Sequence, residues 1–234
     1  MNKEENNTNN MITAFAVLIA IGAVFFAGVM YARGGNVAVA PPTDGGVVPP
    51  PGPPPVTPDL DVLMVQSNDA VRGSGDILLI EYSDYECSFC KRFHPTAQAL
   101  VDSGEVAWVY RHLPLPFHVT AKDGAAVGEC VKEHKGNEAF WTYTDKVFAA
   151  SALDLETYKS LARDGGLSDA QIDTCLAAGS DAQKAVEQHM NDAQKMGVNG
   201  TPGSFLVNTK TKAVESIPGA LPLEQVRSML ESVQ

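Results

Sequence analysis

The sequence has few basic side chains and no cluster of them. Seventeen lysines and arginines stand against 28 aspartates and glutamates, which gives the 234-residue chain a net charge of −11. An acidic chain without a basic patch does not favour contact with the phosphates of nucleic acid. The sequence also lacks an internal repeat, a glycine-rich phosphate-binding loop and a Ser-His-Asp signature. These absences argue against nucleic-acid binding, a repeat architecture, phosphate-loop nucleotide binding and serine-hydrolase chemistry.

Cysteine is also scarce, since the chain has only four, and two of them form a C-x-x-C motif at Cys87 and Cys90. A zinc site would usually need a second C-x-x-C or a close histidine pair, and the sequence has neither. A structural disulfide is the other alternative, but a strand that runs into a helix at the motif argues against it. The motif therefore predicts a redox pair. We expect no metal and no cofactor.

The residues around the motif favour a reactive first cysteine. A short apolar run, Ile77 to Ile80, precedes a polar turn, and the residues after Cys90 have helical apolar spacing. Unpaired N–H groups and the helix dipole at the start of such a helix stabilise negative charge, so Cys87 should form a thiolate easily. Cys90, one turn further on, can then attack a mixed disulfide at Cys87 and release the partner protein.

The N-terminal 60 residues predict an anchor and a tether. Residues 1–10 form a polar tail, and residues 11–32 contain an uncharged stretch of the length that crosses a bilayer core of about 30 Å. We interpret this stretch as a retained transmembrane anchor, with cleavage as the alternative. Residues 33–60 form a linker, because nine of the fifteen prolines fall between Pro41 and Pro58. Cysteine chemistry favours a cytoplasmic N-terminus and an extracytoplasmic folded domain.

Residues 61–234 predict an α/β domain. Strand-like and helical segments alternate as β-α-β, then several helices, then β-β-α. This order is that of the thioredoxin fold with a helical insertion, which we place at about residues 117–198. The segments read as strands are residues 77–82, 106–110, 204–208 and 213–217, and a closing helix begins near Leu223.

Two further positions can be placed beside the redox pair. Glu81 lies six residues before Cys87 at the end of a buried strand, where it could relay protons to Cys90 or simply reach solvent. Thr201-Pro202 opens a later strand, and in the thioredoxin fold a cis-proline at this point faces the redox pair. The backbone of Thr201 could then pair with an extended substrate segment.

Taken together, these segments resemble the DsbA-like family of extracytoplasmic thiol–disulfide oxidoreductases. The resemblance extends from about Asp69 to Gln234. It implies that Cys87 is the attacking thiolate, that Cys90 is the resolving thiol and that Thr201-Pro202 contacts the substrate. The matching segments are Val71 to Ser74, Glu81 to Phe93, Tyr110 to Leu115, Glu129-Cys130, Ala139 to Tyr143, Asp173 to Leu176 and Gly197 to Pro202.

The resemblance implies a monomeric enzyme that forms disulfides in unfolded or reduced exported proteins. A quinone-linked membrane oxidase of the DsbB or VKOR type would reoxidise it. Alternatives are a reductase or isomerase with the same site, and a non-enzymatic metal- or peptide-binding module. Ser88-Phe89 stands between the cysteines where the strongest oxidants of the family have a histidine, which predicts a less oxidising disulfide. Phe89 should be exposed, in position to contact unfolded substrate.

The remaining cysteines, Cys130 and Cys175, lie in the predicted insertion. We expect a structural disulfide between two insertion helices, with two free thiols or a second redox pair as alternatives. We interpret His94 and His118, which lie near the functional segments, as solvated surface histidines. Gly203, directly after the proline, predicts a looser loop.

Overall fold

The computed structural model of this chain describes residues 58–234. The predicted tail, anchor and most of the linker therefore lie outside the described residues. Among residues 58–234, no helix combines the length and the apolar character that crossing a membrane requires.

A five-stranded mixed sheet forms the centre of the domain, in the order β1-β3-β2-β4-β5. The strand β2 pairs in parallel with β3 and antiparallel with β4, so it lies in the middle of the sheet. Its apolar run is continuous because both of its faces are covered. The strands are β1 (Ala70–Arg72), β2 (Ile77–Ser83), β3 (Ala107–His112), β4 (Gly203–Asn208) and β5 (Val214–Pro218).

Helices cover both faces of the sheet, and five of them lie between β3 and β4, where the sequence predicts the insertion. The expected order β-α-β, helices, β-β-α is present, with β1 as an additional edge strand. The helices are α1 (Leu60–Leu63), α2 (Ser88–Asp102), α3 (Ala121–Lys135), α4 (Asn137–Ala149), α5 (Leu155–Asp164), α6 (Asp169–Leu176), α7 (Asp181–Lys195) and α8 (Leu223–Val233). Cys130 of α3 and Cys175 of α6 are joined by a disulfide within the insertion.

Alternation along β2 divides the core into two clusters. Leu79 packs with Trp108 and with buried residues of α2 in one cluster. Leu78 and Ile80 belong to the second cluster, on the opposite face of the sheet. Successive side chains of a strand point to opposite faces, so Glu81 and Ser83 share the face of Leu79. The polar end of β2 is therefore buried beneath α2.

Candidate redox site

The start of α2 places Cys87 at the helix N-cap position. The preceding turn is held by Asp84, whose carbonyl accepts from the Cys87 N–H at 3.1 Å and whose carboxylate accepts from the Glu86 N–H at 2.8 Å. The backbone N–H groups of Phe89 and Cys90 lower the pKa of the Cys87 thiol. These are donors that the first turn of a helix leaves without a backbone partner.

The two sulfurs differ in accessibility. Cys87 keeps 6% of its surface exposed, whereas Cys90 is fully buried. The backbone N–H of Asp84 approaches the Cys90 sulfur at 3.5 Å. Of the two cysteines, only Cys87 therefore keeps exposed surface for a protein partner to approach.

The two cysteines also differ in acidity. The hydrogen bond from the Cys90 thiol lowers the pKa of Cys87 to about 5, against the opposing effect of burial, and the N–H groups of Cys90 and Phe89 add to the lowering. Burial raises the pKa of Cys90 well above its ordinary value, and the Cys87 sulfur and Glu81 act in the same direction. At neutral pH the reduced pair is therefore a Cys87 thiolate beside a Cys90 thiol.

The loop before β4 lies opposite Cys87. The Thr201–Pro202 peptide bond is cis, and the Thr201 carbonyl oxygen lies 3.3 Å from the Cys87 sulfur, where it accepts a hydrogen bond only while Cys87 is protonated. The Thr201 hydroxyl, which has no hydrogen-bond partner in residues 58–234, is close enough to favour the thiolate. Thr201 is partly exposed and Pro202 is buried. The loop thus presents the backbone of Thr201 next to the accessible sulfur.

Gly203 makes this loop tight, contrary to the looser loop expected from the sequence. A Cβ atom at Gly203 would lie 2.4 Å from Val198 Cγ1 and 3.1 Å from the Gly200 carbonyl oxygen. The glycine is required because neighbouring atoms of the same loop occupy the space that a side chain would need.

Glu81 lies below the redox pair with 1% of its surface exposed. Burial raises its pKa to about 7, and the charge of Cys87 adds to this, while the Trp108 indole, which donates to Oε2 at 3.0 Å, opposes it. The alternative of an acid that reaches solvent at the end of a strand is therefore wrong. The proton-relay role stays a prediction.

Asp84 also fixes the loop that follows β3, a role that the sequence did not reveal. Its Oδ2 accepts from the Leu115 N–H at 2.7 Å and lies 2.8 Å from His118 Nδ1. Glu86 Oε1 accepts from the Thr120 N–H at 2.9 Å. These contacts hold the 113–120 loop against the turn before Cys87. The only signal in the sequence was the presence of two acids in that turn.

Neither His94 nor His118 is the solvated surface histidine that the sequence suggested. His94 is 8% exposed and lies 2.8 Å from the Asp145 carboxylate, which also forms a bidentate pair with Arg72. His118 is bonded to Asp84. Both histidines connect separate segments of the chain, which spacing along the sequence cannot show.

The surface beside Cys87 is partly apolar. Phe89 is 54% exposed, and the Arg92 guanidinium lies 4.6 Å from the centre of its ring. A cleft of about 310 Å³ opens next to Cys87 and is lined by Lys91 and Leu153, among others. The structure therefore brings the predicted redox and substrate-contact residues to one end of β2, α2 and β4, whereas Cys130 and Cys175 lie in the insertion.

Comparison with known proteins agrees with this geometry. The model of a family described as Thioredoxin matches residues 71–231. The chain belongs to the thioredoxin family. DsbA2 of Pseudomonas aeruginosa is 25% identical, with a TM-score of 0.62 over 73% of this chain and 97% of that one. A thioredoxin-like oxidoreductase from Silicibacter pomeroyi DSS-3 is 24% identical, with a TM-score of 0.65 over 75% and 97%. The predicted DsbA-like thioredoxin fold with a helical insertion is confirmed.

Curated relatives extend well beyond this chain. The Na(+)/H(+) antiporter NhaA 3 of Salinispora tropica is 32% identical over 156 residues, which are 64% of this chain and 23% of that protein. NhaA 1 of Salinispora arenicola is 30% identical over 160 residues and is likewise covered to 23%. The chain thus spans about a quarter of the length of these relatives.

Proposed function

We propose that this chain is an extracytoplasmic thiol–disulfide oxidoreductase that introduces disulfides into exported proteins. The observation that carries the proposal is the acidic, accessible Cys87 sulfur at a helix N-terminus opposite the Thr201 carbonyl. Stabilisation of the reduced form as a thiolate makes the corresponding disulfide oxidising.

In the proposed reaction, a client thiolate attacks Cys87 of the Cys87–Cys90 disulfide. A client–Cys87 bond forms, the Cys87–Cys90 bond breaks, and Cys90 takes up a proton because a buried thiolate is costly. A second client thiolate then attacks the client sulfur of the mixed disulfide. The client disulfide forms and Cys87 departs as a stable thiolate.

The client would be an unfolded or reduced exported protein. Its backbone would pair with Thr201 as an added strand segment, and its apolar side chains would contact the half-exposed ring of Phe89. Neither contact requires a particular client sequence, as expected for an enzyme that acts on many clients.

We further propose that residues 11–32 anchor a monomeric enzyme with its N-terminus in the cytoplasm. The Cys130–Cys175 disulfide supports an oxidising compartment for the folded domain, because such bonds are rare in the cytosol. A quinone-linked membrane oxidase of the DsbB or VKOR type would return the Cys87–Cys90 pair to the disulfide.

A reductase with the same site is the second candidate. It is favoured by the dipeptide Ser88-Phe89, which places no cation between the cysteines. Without that cation, the thiolate depends on the Cys90 thiol, the Thr201 hydroxyl and backbone N–H groups.

Trapping of the mixed disulfide tests the proposal. Full-length Cys90→Ser, activated at Cys87 as a mixed disulfide with a small thiol and mixed with a reduced, unfolded client, should yield a Cys87–client adduct on a non-reducing gel. Cys87→Ser should yield none, and the wild-type disulfide should oxidise the client with its own reduction. Absence of both the adduct and client oxidation would refute the function.

A further inference from the structure

Four polar side chains share one face of the sheet beneath α2. Ser83 lies two residues after Glu81 on β2, so the two side chains point to the same face. Tyr110 on β3 and Ser204 on β4 are the register partners of Glu81. Adjacent partners in a sheet also point to the same face, so Tyr110 and Ser204 flank Glu81.

These four side chains are buried, and their three hydroxyls lack hydrogen-bond partners among the described residues. Glu81, Ser83, Tyr110 and Ser204 are each at most 1% exposed. Within residues 58–234, the hydroxyls of Ser83, Tyr110 and Ser204 have no hydrogen-bond partner of good geometry. Buried polar atoms are nearly always paired, so three free hydroxyls around one carboxyl point to a functional requirement.

Cys90 covers the group from above. The N–H of Asp84, the residue after Ser83, lies 3.5 Å from the Cys90 sulfur. The Ser83 hydroxyl is close enough to Glu81, Cys90 and Tyr110 to lower the pKa of each, against the dominant effect of burial, which raises all three. One unpaired hydroxyl thus lies within reach of both the acid and the buried sulfur.

The reaction needs such a group. Cys90 must lose a proton before it attacks and gain one when it leaves, but it has no contact with solvent. Glu81 is the nearby carboxyl, and its Oε2 is already engaged by the Trp108 indole. A hydroxyl can accept a hydrogen bond from one group while it donates one to another, so it can connect Cys90 with Glu81.

We propose that Ser83 carries the proton between Cys90 and Glu81, an inference that rests on the proposed function. When Cys90 attacks, its thiol proton passes to Ser83 Oγ while the Ser83 hydroxyl proton passes to the Glu81 carboxylate. The products are a Cys90 thiolate and a neutral Glu81. The thiolate then forms the bond to Cys87, and the partner sulfur leaves with the electron pair of the mixed disulfide. In the opposite direction the same protons return.

The pH dependence of this step follows from the groups around Glu81. Cys87 and Cys90 face it from α2 and Tyr110 from β3, while Ser204 of β4 carries no charge. His112, opposite Ser83, lies 3.3 Å from Glu129. Attack by Cys90 requires the Glu81 carboxylate, so its rate should rise with pH through about 7.

Stopped-flow fluorescence of the full-length reduced protein mixed with excess oxidised glutathione tests the proposal. The first, concentration-dependent phase reports Cys87, and the limiting rate at high glutathione reports closure by Cys90. Ser83→Ala should slow closure by about 10-fold or more at pH 7.5 and displace its pH profile, without changing the first phase. Ser83→Thr, which keeps the hydroxyl, should restore the profile.

A double-variant cycle separates this role from a structural one. Glu81→Gln should slow closure similarly, and Ser83→Ala in that background should add nothing, since the two residues act in one relay. Asn208→Ala, which removes a buried side-chain bond to the Val233 carbonyl, is the control for lost stability and should leave the profile unchanged. Additive effects with an unmoved profile would overturn the proposal.

The wild-type protein gives a second test that needs no folded variant. In mixtures of light and heavy water, two protons in flight predict a curved dependence of the closure rate on the deuterium fraction. A linear dependence contradicts the relay. A wild-type protein that fails to react with disulfides at all would instead refute the proposed function.

Discussion

At the scale of single residues, the acidity of Cys87 comes from its position rather than from a neighbouring cation. The Cys90 thiol and the N–H groups of the first helical turn supply the donors. The C-x-x-C spacing and the apolar run before it predicted a helix that begins at the motif and the role of its N–H groups, but not the hydrogen bond from the Cys90 thiol, which is the largest cause. The burial of Glu81 was not predictable, since it depends on how α2 covers the end of β2.

Titration of the reduced, full-length protein by the ultraviolet absorbance of the thiolate should give a midpoint at about 5. Cys87→Ser should abolish the transition. Cys90→Ala should move it upward, because the largest cause of the lowered pKa is the Cys90 thiol. A midpoint close to the ordinary cysteine value of about 8.5 would contradict this description of the site.

Glu81 should also leave a signature in stability. Its pKa is raised from 4.5 to about 7 in the folded protein, so folding is penalised as pH rises above 4.5, and the penalty is complete above 7. Reduced Glu81→Gln should therefore exceed the wild type in free energy of unfolding at pH 8 by up to about 3 kcal/mol, and lose this advantage at pH 4. Denaturant unfolding at both pH values measures the difference, and an equal difference at both would contradict it.

At the scale of elements, the loop before β4 depends on close packing at Gly203. Gly203→Ala would force its Cβ against Val198, so it should lower stability by about 1–3 kcal/mol and slow mixed-disulfide formation. Gly200→Ala is the matched control on the other side of Thr201-Pro202, because nothing lies within 4 Å of its added Cβ. Chemical denaturation and the glutathione reaction compare the two variants, and equal effects would contradict the packing argument.

The disulfide of the insertion should contribute to stability. Cys130 and Cys175 are 45 residues apart, and closing a loop of that length stabilises the folded state by about 4 kcal/mol in the chain-entropy model. Replacing both by alanine should lower the denaturant midpoint accordingly, while the Cys87 titration stays unchanged. A shift in that titration would show that the second pair takes part in the redox chemistry.

The order of elements was largely predictable, because the short apolar runs of β2 and β4 and the helical apolar spacing of α2 are clear in the sequence. The edge strand β1 was not, since three residues carry too little pattern. The contacts from Asp84 and Glu86 to the 113–120 loop were also beyond prediction. They join residues about thirty positions apart through polar side chains that leave no periodic signal.

At the scale of the whole molecule, the direction of the reaction is set by the free-energy difference between the reduced and oxidised proteins. The Cys87 thiolate lowers the free energy of the reduced form, which favours oxidation of clients. Because Ser88-Phe89 contains no cation, this stabilisation of the reduced form is limited. The resulting potential should therefore lie in the oxidising range but below that of the strongest oxidants.

The equilibrium of the full-length Cys87–Cys90 pair with a glutathione buffer, followed by mass after alkylation, tests this most directly. We predict a reduction potential between about −180 mV, the value of protein disulfide isomerase, and about −120 mV, the value of DsbA. A value near that of thioredoxin, about −270 mV, would contradict the proposed oxidase function and favour a reductase.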